Sequence, residues 1–176
     1  MTRLKKIINI YHFTLLFIPL LLAGGCGYHL SGGGHLPQNV SKICVRVFEN
    51  KTTETGLESM IANEIINNFT RFENVRLVEK PEAQATLTGV INSSSISTIT
   101  HESSYVSSER RIRIVVEIKL TSSEGNLLWQ SGPMSEDETY LVDPDKMQTE
   151  ENKKSALATV SKRLAQRIYY RLTDNF

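Results

Sequence analysis

The feature that most limits the fold is the alternation of apolar and polar side chains between residues 110 and 121. Every second position is a large aliphatic residue: Ile112, Ile114, Val116, Ile118 and Leu120. The positions between them are mainly charged: Arg111, Arg113, Val115, Glu117 and Lys119. Because side chains of a strand point alternately to its two faces, this pattern predicts a strand with one face in the core. The other face meets water, a partner or an anion.

Two segments with helical periodicity would cover the apolar face of such a strand. The first is predicted to open with a capping box, in which Glu58 follows Thr55 by three residues. Its apolar stripe holds Leu57, Ile61, Ile65, Phe69 and Phe72. The second is predicted from about Thr149 to Leu172, with two glutamates at positions 150 and 151 in its first turn. Its stripe holds Leu157, Val160, Leu164, Ile168 and Leu172.

Further strands are predicted around the clearest one. They cover residues 42–48, 75–78, 83–100, 127–130 and 138–142. The first of these segments, residues 42–48, is apolar on both faces, which predicts that other elements pack on both faces. The acidic run at Glu136, Asp137 and Glu138 is interpreted as a solvated loop rather than a site. Together these elements predict an α+β domain, a mixed sheet with two helices packed on one face.

The N-terminus has the organisation of an export signal. Three basic residues precede an apolar run, and Gly24 and Gly25 stand directly before Cys26. This order is typical of a bacterial lipoprotein signal, after whose removal Cys26 is the first residue and carries the lipid. An uncleaved N-terminal anchor is the alternative. The chain therefore divides into a signal peptide at 1–25, a glycine-rich flexible tether at 26–41 and a single domain at 42–176.

The cysteines and the charge narrow the function classes. Lipidation of Cys26 would leave Cys44, the second of two cysteines, without a disulfide partner. Cys44 lies in an apolar strand and is interpreted as a small buried hydrophobic residue, with a reactive thiol as the alternative. Removal of the signal takes away three of the 20 basic residues and none of the 19 acidic ones, which leaves a net charge of −2. That balance argues against a nucleic-acid-binding protein.

Little in the sequence suggests catalysis. It has no Gly-x-Ser-x-Gly, His-Glu-x-x-His or Cys-x-x-Cys motif, so we predict no catalytic residue, metal or cofactor and no enzymatic activity. Arg111, Arg113 and Lys119 share the polar face of the clearest strand. A guanidinium group can donate two hydrogen bonds to one phosphate, so these residues are candidates for binding an anionic amphiphile. An ordinary charged outer face is the alternative.

The junction between the predicted signal and the mature chain reads Gly25-Cys26-Gly27-Tyr28-His29-Leu30. This motif resembles the corresponding start in the LptE family of lipopolysaccharide-assembly lipoproteins. The likeness continues through the Leu36-Pro37 segment, the Gly56-Leu57 helix start and the Arg-Ile-Arg-Ile strand. It also covers the hairpin from Gly125 to Trp129 and the closing amphipathic helix.

This resemblance implies a lipid-anchored protein on the periplasmic side of the outer membrane, with two helices on a four-stranded sheet. It also implies a partner, the LptD β-barrel, whose lumen the lipoprotein plugs and whose assembly it supports. The pair would insert lipopolysaccharide into the outer leaflet. Lipopolysaccharide binding in the family is attributed to basic side chains, and we predict Arg111, Arg113 and Lys119 for it. The rival hypotheses are a structural binding module for another envelope partner and a tethered hydrolase.

Overall fold

The computed structural model describes residues 34–71, 75–99 and 108–173. Its strands are β1 (Lys42–Val45), β2 (Glu49–Asn50), β3 (Arg76–Leu77), β4 (Ala85–Ile99), β5 (Ser108–Ser122), β6 (Leu127–Gln130) and β7 (Met134–Val142). Helix α1 (Leu57–Arg71) lies between β2 and β3, and helix α2 (Lys146–Thr173) follows β7. Two short 3₁₀ turns span Pro37–Asn39 and Lys80–Glu82. The predicted α+β class is confirmed.

All the strands belong to one mixed sheet built on the long antiparallel pair β4 and β5. The order is β3-β1-β4-β5-β6, with β2 also pairing with β4 and β7 with β5. β1 and β2 run parallel to successive parts of β4, while β6 and β7 run antiparallel to successive parts of β5. Four strands were expected, whereas the described residues form seven. Each side of the long pair is occupied by two short strands, and β3 adds one more beside β1.

The core lies between the two helices and one face of this sheet, as the periodicities predict. On β5 all five alternating aliphatic residues from Ile112 to Leu120 are fully buried. Helix α1 packs on the core with Leu57, Ile61, Ile65 and Phe69, and α2 with Val160, Leu164, Ile168 and Leu172. Phe72, predicted for the first stripe, lies outside the described residues. We call the opposite side of the sheet the outer face.

Both helix starts differ in detail from the prediction. The carboxylate of Glu58 accepts a hydrogen bond from the N–H of Gly56, at 3.3 Å, one residue later than a capping box at Thr55 requires. Helix α2 begins before Thr149 because the Asp145 carboxylate accepts a hydrogen bond from the Met147 N–H at 2.8 Å, which caps the helix there. The first turn of α2 consequently contains no acidic residue.

The open outer face corrects the prediction for the first strand. Ile43 points to the helices and is buried, whereas Cys44 is only half-buried and Val47 is 66% exposed. A segment that is apolar on both faces is thus covered on one, because both helices lie on the same side of the sheet. Cys44 is therefore a partly exposed free thiol and not the fully buried residue we predicted.

The last part of the predicted tether, residues 34–41, packs against the domain. The side chain of Leu36 is 2% exposed and belongs to the core. Gly34 lies against the carbonyl group of Thr173, at the end of α2, so closely that a Cβ atom has no room there. The packed part of the chain therefore includes residues on the N-terminal side of Lys42.

Candidate functional site

The predicted anion-binding arginines lie on the outer face, in the middle of three strands. Arg111 and Arg113 project from β5, and their register partners on β4 are Ser97 and Ser95. On the other side of β5, Asp137 of β7 is the register partner of Arg113. Hydroxyl groups therefore flank the arginines on one side and a carboxylate on the other.

Asp137 holds these two arginines, the arginine pair, in one cluster. Its Oδ1 accepts a hydrogen bond from Nη2 of Arg113 at 3.1 Å, and its Oδ2 lies 3.5 Å from Nε of Arg111. The two arginine side chains remain 49% and 54% exposed, and Asp137 34%. Two guanidinium groups and one carboxylate carry a net charge of +1. Since exposed ion pairs are worth little in water, an incoming anion can compete with Asp137 for the arginine pair.

Lys119 lies on the same face but outside this cluster. It follows Arg113 by six residues, which is about 20 Å along a strand, with Val115 and Glu117 between them. Lys119 is exposed to solvent. The structure thus brings two of the three predicted residues together and places the third apart.

The acidic run lies within strand β7, which corrects the prediction of a solvated loop. Asp137 faces outward, whereas Glu136 and Glu138 face α2. Oε2 of Glu138 lies 2.6 Å from Nη1 of Arg163, and Glu136 pairs with Arg167. Residues two apart on the strand thus pair with residues four apart on the helix, because each spacing returns a side chain to the same face. That matched spacing was the sequence signal that could have identified these pairs.

The groups with clearly shifted pKa values lie away from the arginine pair. Hydrogen bonds from its own backbone N–H and from the Asn50 side chain lower the pKa of Glu58. Burial alone would lower the pKa of Lys153, but the hydrogen bond and charge of Glu54, 2.8 Å away, outweigh it and raise that pKa. Burial also raises the pKa of Tyr169. Glu58 of α1 and Lys153 of α2 thus bond to residues of the segment before α1, which is a structural role.

A cleft of about 340 Å³ lies between β7 and the first half of α2, on the helix side of the sheet. Its walls include Tyr140, Leu141 and Asn152. Its charged lining residues, Glu138 and Arg163, pair with each other. The cleft therefore does not contain Arg111, Arg113 or Lys119, the residues predicted to bind an anion.

The predicted lipid-attachment residue, Cys26, lies outside the described residues. Neither helix in the described ranges is long and apolar enough to cross a membrane.

The folded unit as a whole matches a known family. A family model for LptE, described as lipopolysaccharide-assembly, matches residues 40–172. This range begins just before β1 and ends in the last turn of α2, so it covers most of the chain. The chain belongs to the LptE family. Membership confirms the resemblance to this family. The matched residues all lie beyond the N-terminal motif, which ends at Leu30.

Solved structures show the same fold as this LptE family member. An uncharacterized lipoprotein B from Nitrosomonas europaea matches with a TM-score of 0.52 and 13% identity over 84% of this chain and 90% of that one. A candidate lipoprotein from Caulobacter crescentus gives 0.52 and 11% over 72% and 88%. A candidate neuraminyllactose-binding hemagglutinin homologue from Helicobacter pylori gives 0.54 and 10% over 84% and 90%. At these identities the likeness is one of fold alone. No curated protein sequence matches the chain.

Proposed function

We propose that this protein is a lipid-anchored outer-membrane protein, facing the periplasm, that plugs the LptD β-barrel and supports its assembly. Together the two would insert lipopolysaccharide into the outer leaflet. The observation that carries this proposal is the LptE family match over residues 40–172, nearly the whole folded unit. The proposed role is one of binding and assembly, without catalysis.

The anchor in this proposal is Cys26, which follows the small pair that ends the apolar run. A single acyl chain binds a membrane only marginally, whereas several chains bind stably. Fixing the domain to the membrane of the barrel would raise its effective concentration there. The anchor would therefore promote assembly with the partner without adding a contact.

The outer face suits the inside of a barrel. The lumens of outer-membrane barrels are lined by polar residues, which alternate along each strand with the apolar residues that face the lipid. The outer face presents hydroxyl groups and charged groups, including Ser95, Ser97 and the arginine pair. An antiparallel sheet tolerates such a face without cover. A plug needs these two properties together, a rigid core on one side and a polar surface on the other.

The arginine pair would bind a phosphate group of lipopolysaccharide. Asp137 orders both guanidinium groups around one point, and about half of each arginine stays accessible. A phosphate can take two hydrogen bonds from each planar fork. Lys119, about 20 Å away along the strand, would contact a different anionic group of the same or another molecule.

The first test is purification of the full lipidated chain from its own envelope in mild detergent. We expect a large β-barrel to be recovered in equal amount. Recovery of the lipoprotein without a barrel would refute the plug. Recovery with a different envelope protein would favour the rival interpretation as a structural module.

The second test measures lipopolysaccharide binding by Arg113→Gln. Loss of one charged hydrogen-bonding group is expected to weaken binding about tenfold or more. Arg110→Gln is the matched control, since Arg110 is exposed on the same strand but faces the opposite side of the sheet. Asp137→Asn is expected to strengthen binding, because it removes the competing carboxylate. Equal effects of Arg113→Gln and Arg110→Gln would exclude a specific role for the arginine pair.

A further inference from the structure

Strand β4 has one edge that is paired only over part of its length. β5 pairs with β4 from Ala85 to Ile99. On the opposite edge, the last backbone hydrogen bond among the described residues is donated by the N–H of Lys51 to the carbonyl of Ile91, at 3.1 Å. Among the described residues, none pairs with that edge from Ser93 to Ile99. This open edge is seven residues long, about 23 Å.

The open edge is well formed for pairing. A register shift between Ile91 and Ser93 marks its beginning, and the pairing with β5 is regular from there to Ile99. Its residues carry no charge and include no proline: Ser93, Ser94, Ser95, Ile96, Ser97, Thr98 and Ile99. Proteins usually block an exposed edge with lysine, proline or a covering element, because a bare one accepts foreign strands. The open edge itself contains no lysine or proline, and none of the described residues covers it.

The edge on the far side of the sheet is treated differently. Side chains of α2 donate hydrogen bonds to the backbone carbonyls along β7 and the segment before it. The bonds are Arg171 to Ser131 (3.5 Å), Arg167 to Ser135 (3.0 Å), Arg163 to Asp137 (3.3 Å) and Asn152 to Leu141 (3.0 Å). Within the part of the chain that the structure describes, one edge is therefore capped by a row of side chains and the other is not.

We infer that the open edge of β4 receives an extended segment of the barrel partner as an additional strand. This inference rests on the proposed function. The strands of a closed barrel are already paired with one another, so the segment must come from a loop or another non-barrel part of that partner. Strand addition draws its affinity from main-chain hydrogen bonds. Because the edge offers small hydroxyl and β-branched side chains, the added segment would be uncharged and β-prone.

A second copy of this chain fits the open edge less well. A symmetric, hydrogen-bonded pair of identical edges is antiparallel, so one molecule is turned by half a revolution relative to the other. Gly34 lies beside Thr173, whereas Ile99 lies level with Leu141, near the other end of α2. The two chains would therefore leave such a dimer at opposite ends. Each proposed Cys26 anchor lies only eight residues before Gly34. The two anchors would therefore start from opposite ends of the dimer, although both would have to enter the same leaflet.

The register predicts which backbone groups would bind the added strand. The Ser131 N–H donates to the Ile118 carbonyl, so even-numbered residues of β5 point their backbone groups away from β4 and odd-numbered ones toward it. Ser95 and Ser97 are the register partners of the odd-numbered residues Arg113 and Arg111, so their backbone groups bond to β5. Ser94, Ile96 and Thr98, between and beside them, point their N–H and C=O groups to the open edge.

Residue-resolved amide hydrogen exchange on the full chain, free and in the detergent-solubilised barrel complex, tests this alternation. In the free chain the amides of Ser94, Ile96 and Thr98 are expected to exchange rapidly. In the complex they are expected to slow by about a hundredfold or more, while Ser95 and Ser97 are slow in both states. Uniform additional protection of all five amides would show that the barrel contacts this part of β4 without adding a strand, and an unchanged exchange of all five would show that it does not bind the open edge. Either result contradicts the inference.

Other outcomes identify other occupants of the open edge. Protection of the three amides in the free chain that grows with protein concentration would assign the edge to a second copy. Protection that is independent of concentration would assign it to the chain's own residues. Either result overturns the inference and leaves the plug intact. Failure to form any barrel complex would overturn both.

A pair of variants at one position supplies an independent measurement. Ile96→Pro removes one N–H of the open edge without removing a bond to β5, and it is expected to lower barrel recovery about tenfold. Ile96→Ala shortens the same side chain, which is 43% exposed, and keeps the N–H, so recovery should be unchanged. Circular dichroism would serve to check that both variants fold. Equal recovery with both variants would contradict a backbone role for the edge.

Discussion

Replacement of Gly89 by alanine tests how the core closes over β4. Gly89 lies on the helix side of the strand, and the ring of Phe48, itself 3% exposed, covers it. An alanine Cβ would lie 2.5, 2.6 and 2.7 Å from three ring carbons. Carbon atoms pack best at about 3.5–4.0 Å, so the ring or the strand must move by about 1 Å.

The expected cost follows from two opposing terms. Overpacking of a well-filled core costs about 1–3 kcal/mol. Replacing glycine within a strand restores about 0.5–1 kcal/mol, because alanine loses less conformational freedom on folding. We therefore expect Gly89→Ala to lower the free energy of unfolding by about 1–2 kcal/mol, which corresponds to a fall in Tm of about 2–8 °C for a chain of this size.

Urea unfolding of the full chain in mild detergent, followed by circular dichroism, measures this cost. The decisive comparison is a double-mutant cycle with Phe48→Ala, which removes the ring. Gly89→Ala should cost less in the Phe48→Ala background than in the parent, since the clash is then absent. Gly125→Ala is the control, because its φ of 92° strains alanine while no neighbouring atom lies within 4 Å. Additive costs of Gly89→Ala and Phe48→Ala would refute the steric explanation.

Three further predictions concern polar groups. Glu54→Gln should lower the free energy of unfolding by about 1.5–3 kcal/mol in urea titrations, because it leaves Lys153, 18% exposed, without its charged partner. The pKa of Glu58 is lowered in the fold, so its stabilising contribution is present above the unfolded pKa, near 4.5, and is lost as pH falls through the folded value. The difference in urea midpoint between the parent and Glu58→Gln should therefore shrink below about pH 4.5. Ser161→Ala should be neutral or stabilise by up to about 1 kcal/mol, since the buried hydroxyl has no described hydrogen-bond partner; a loss above 1 kcal/mol in thermal melts would reveal one.

Local periodicity accounts for what the sequence predicted well. The alternation from Ile112 to Leu120 and the stripe from Val160 to Leu172 each depend only on the geometry of one element. Both sets are buried as predicted. The class of the fold follows, because a one-sided strand and two one-sided helices can bury their apolar faces only against each other.

Pairing between elements was not predictable in the same way. The acidic run of β7 has the composition of a solvated loop, and only the approach of α2 turns Glu136 and Glu138 into partners of Arg167 and Arg163. Asp137 likewise became part of the arginine pair's cluster through the register of β7 with β5. Such contacts join residues more than twenty positions apart, so no pattern within one segment records them, and only the matched spacing of the two segments could have indicated the pairs with α2.

The two faces and the two edges of the sheet differ in what they contact in this small domain. One face is covered by both helices, and the backbone carbonyls of one edge accept hydrogen bonds from side chains of α2. The outer face and the open edge of β4 are the parts left over, and they adjoin along the row of Ser93, Ser95 and Ser97. A partner that added a strand at that edge would extend the outer face by one more strand, beside the hydroxyl row that separates it from the arginine pair. Under the proposed function, docking to the barrel and presenting arginines to lipopolysaccharide would therefore be coupled through one continuous surface.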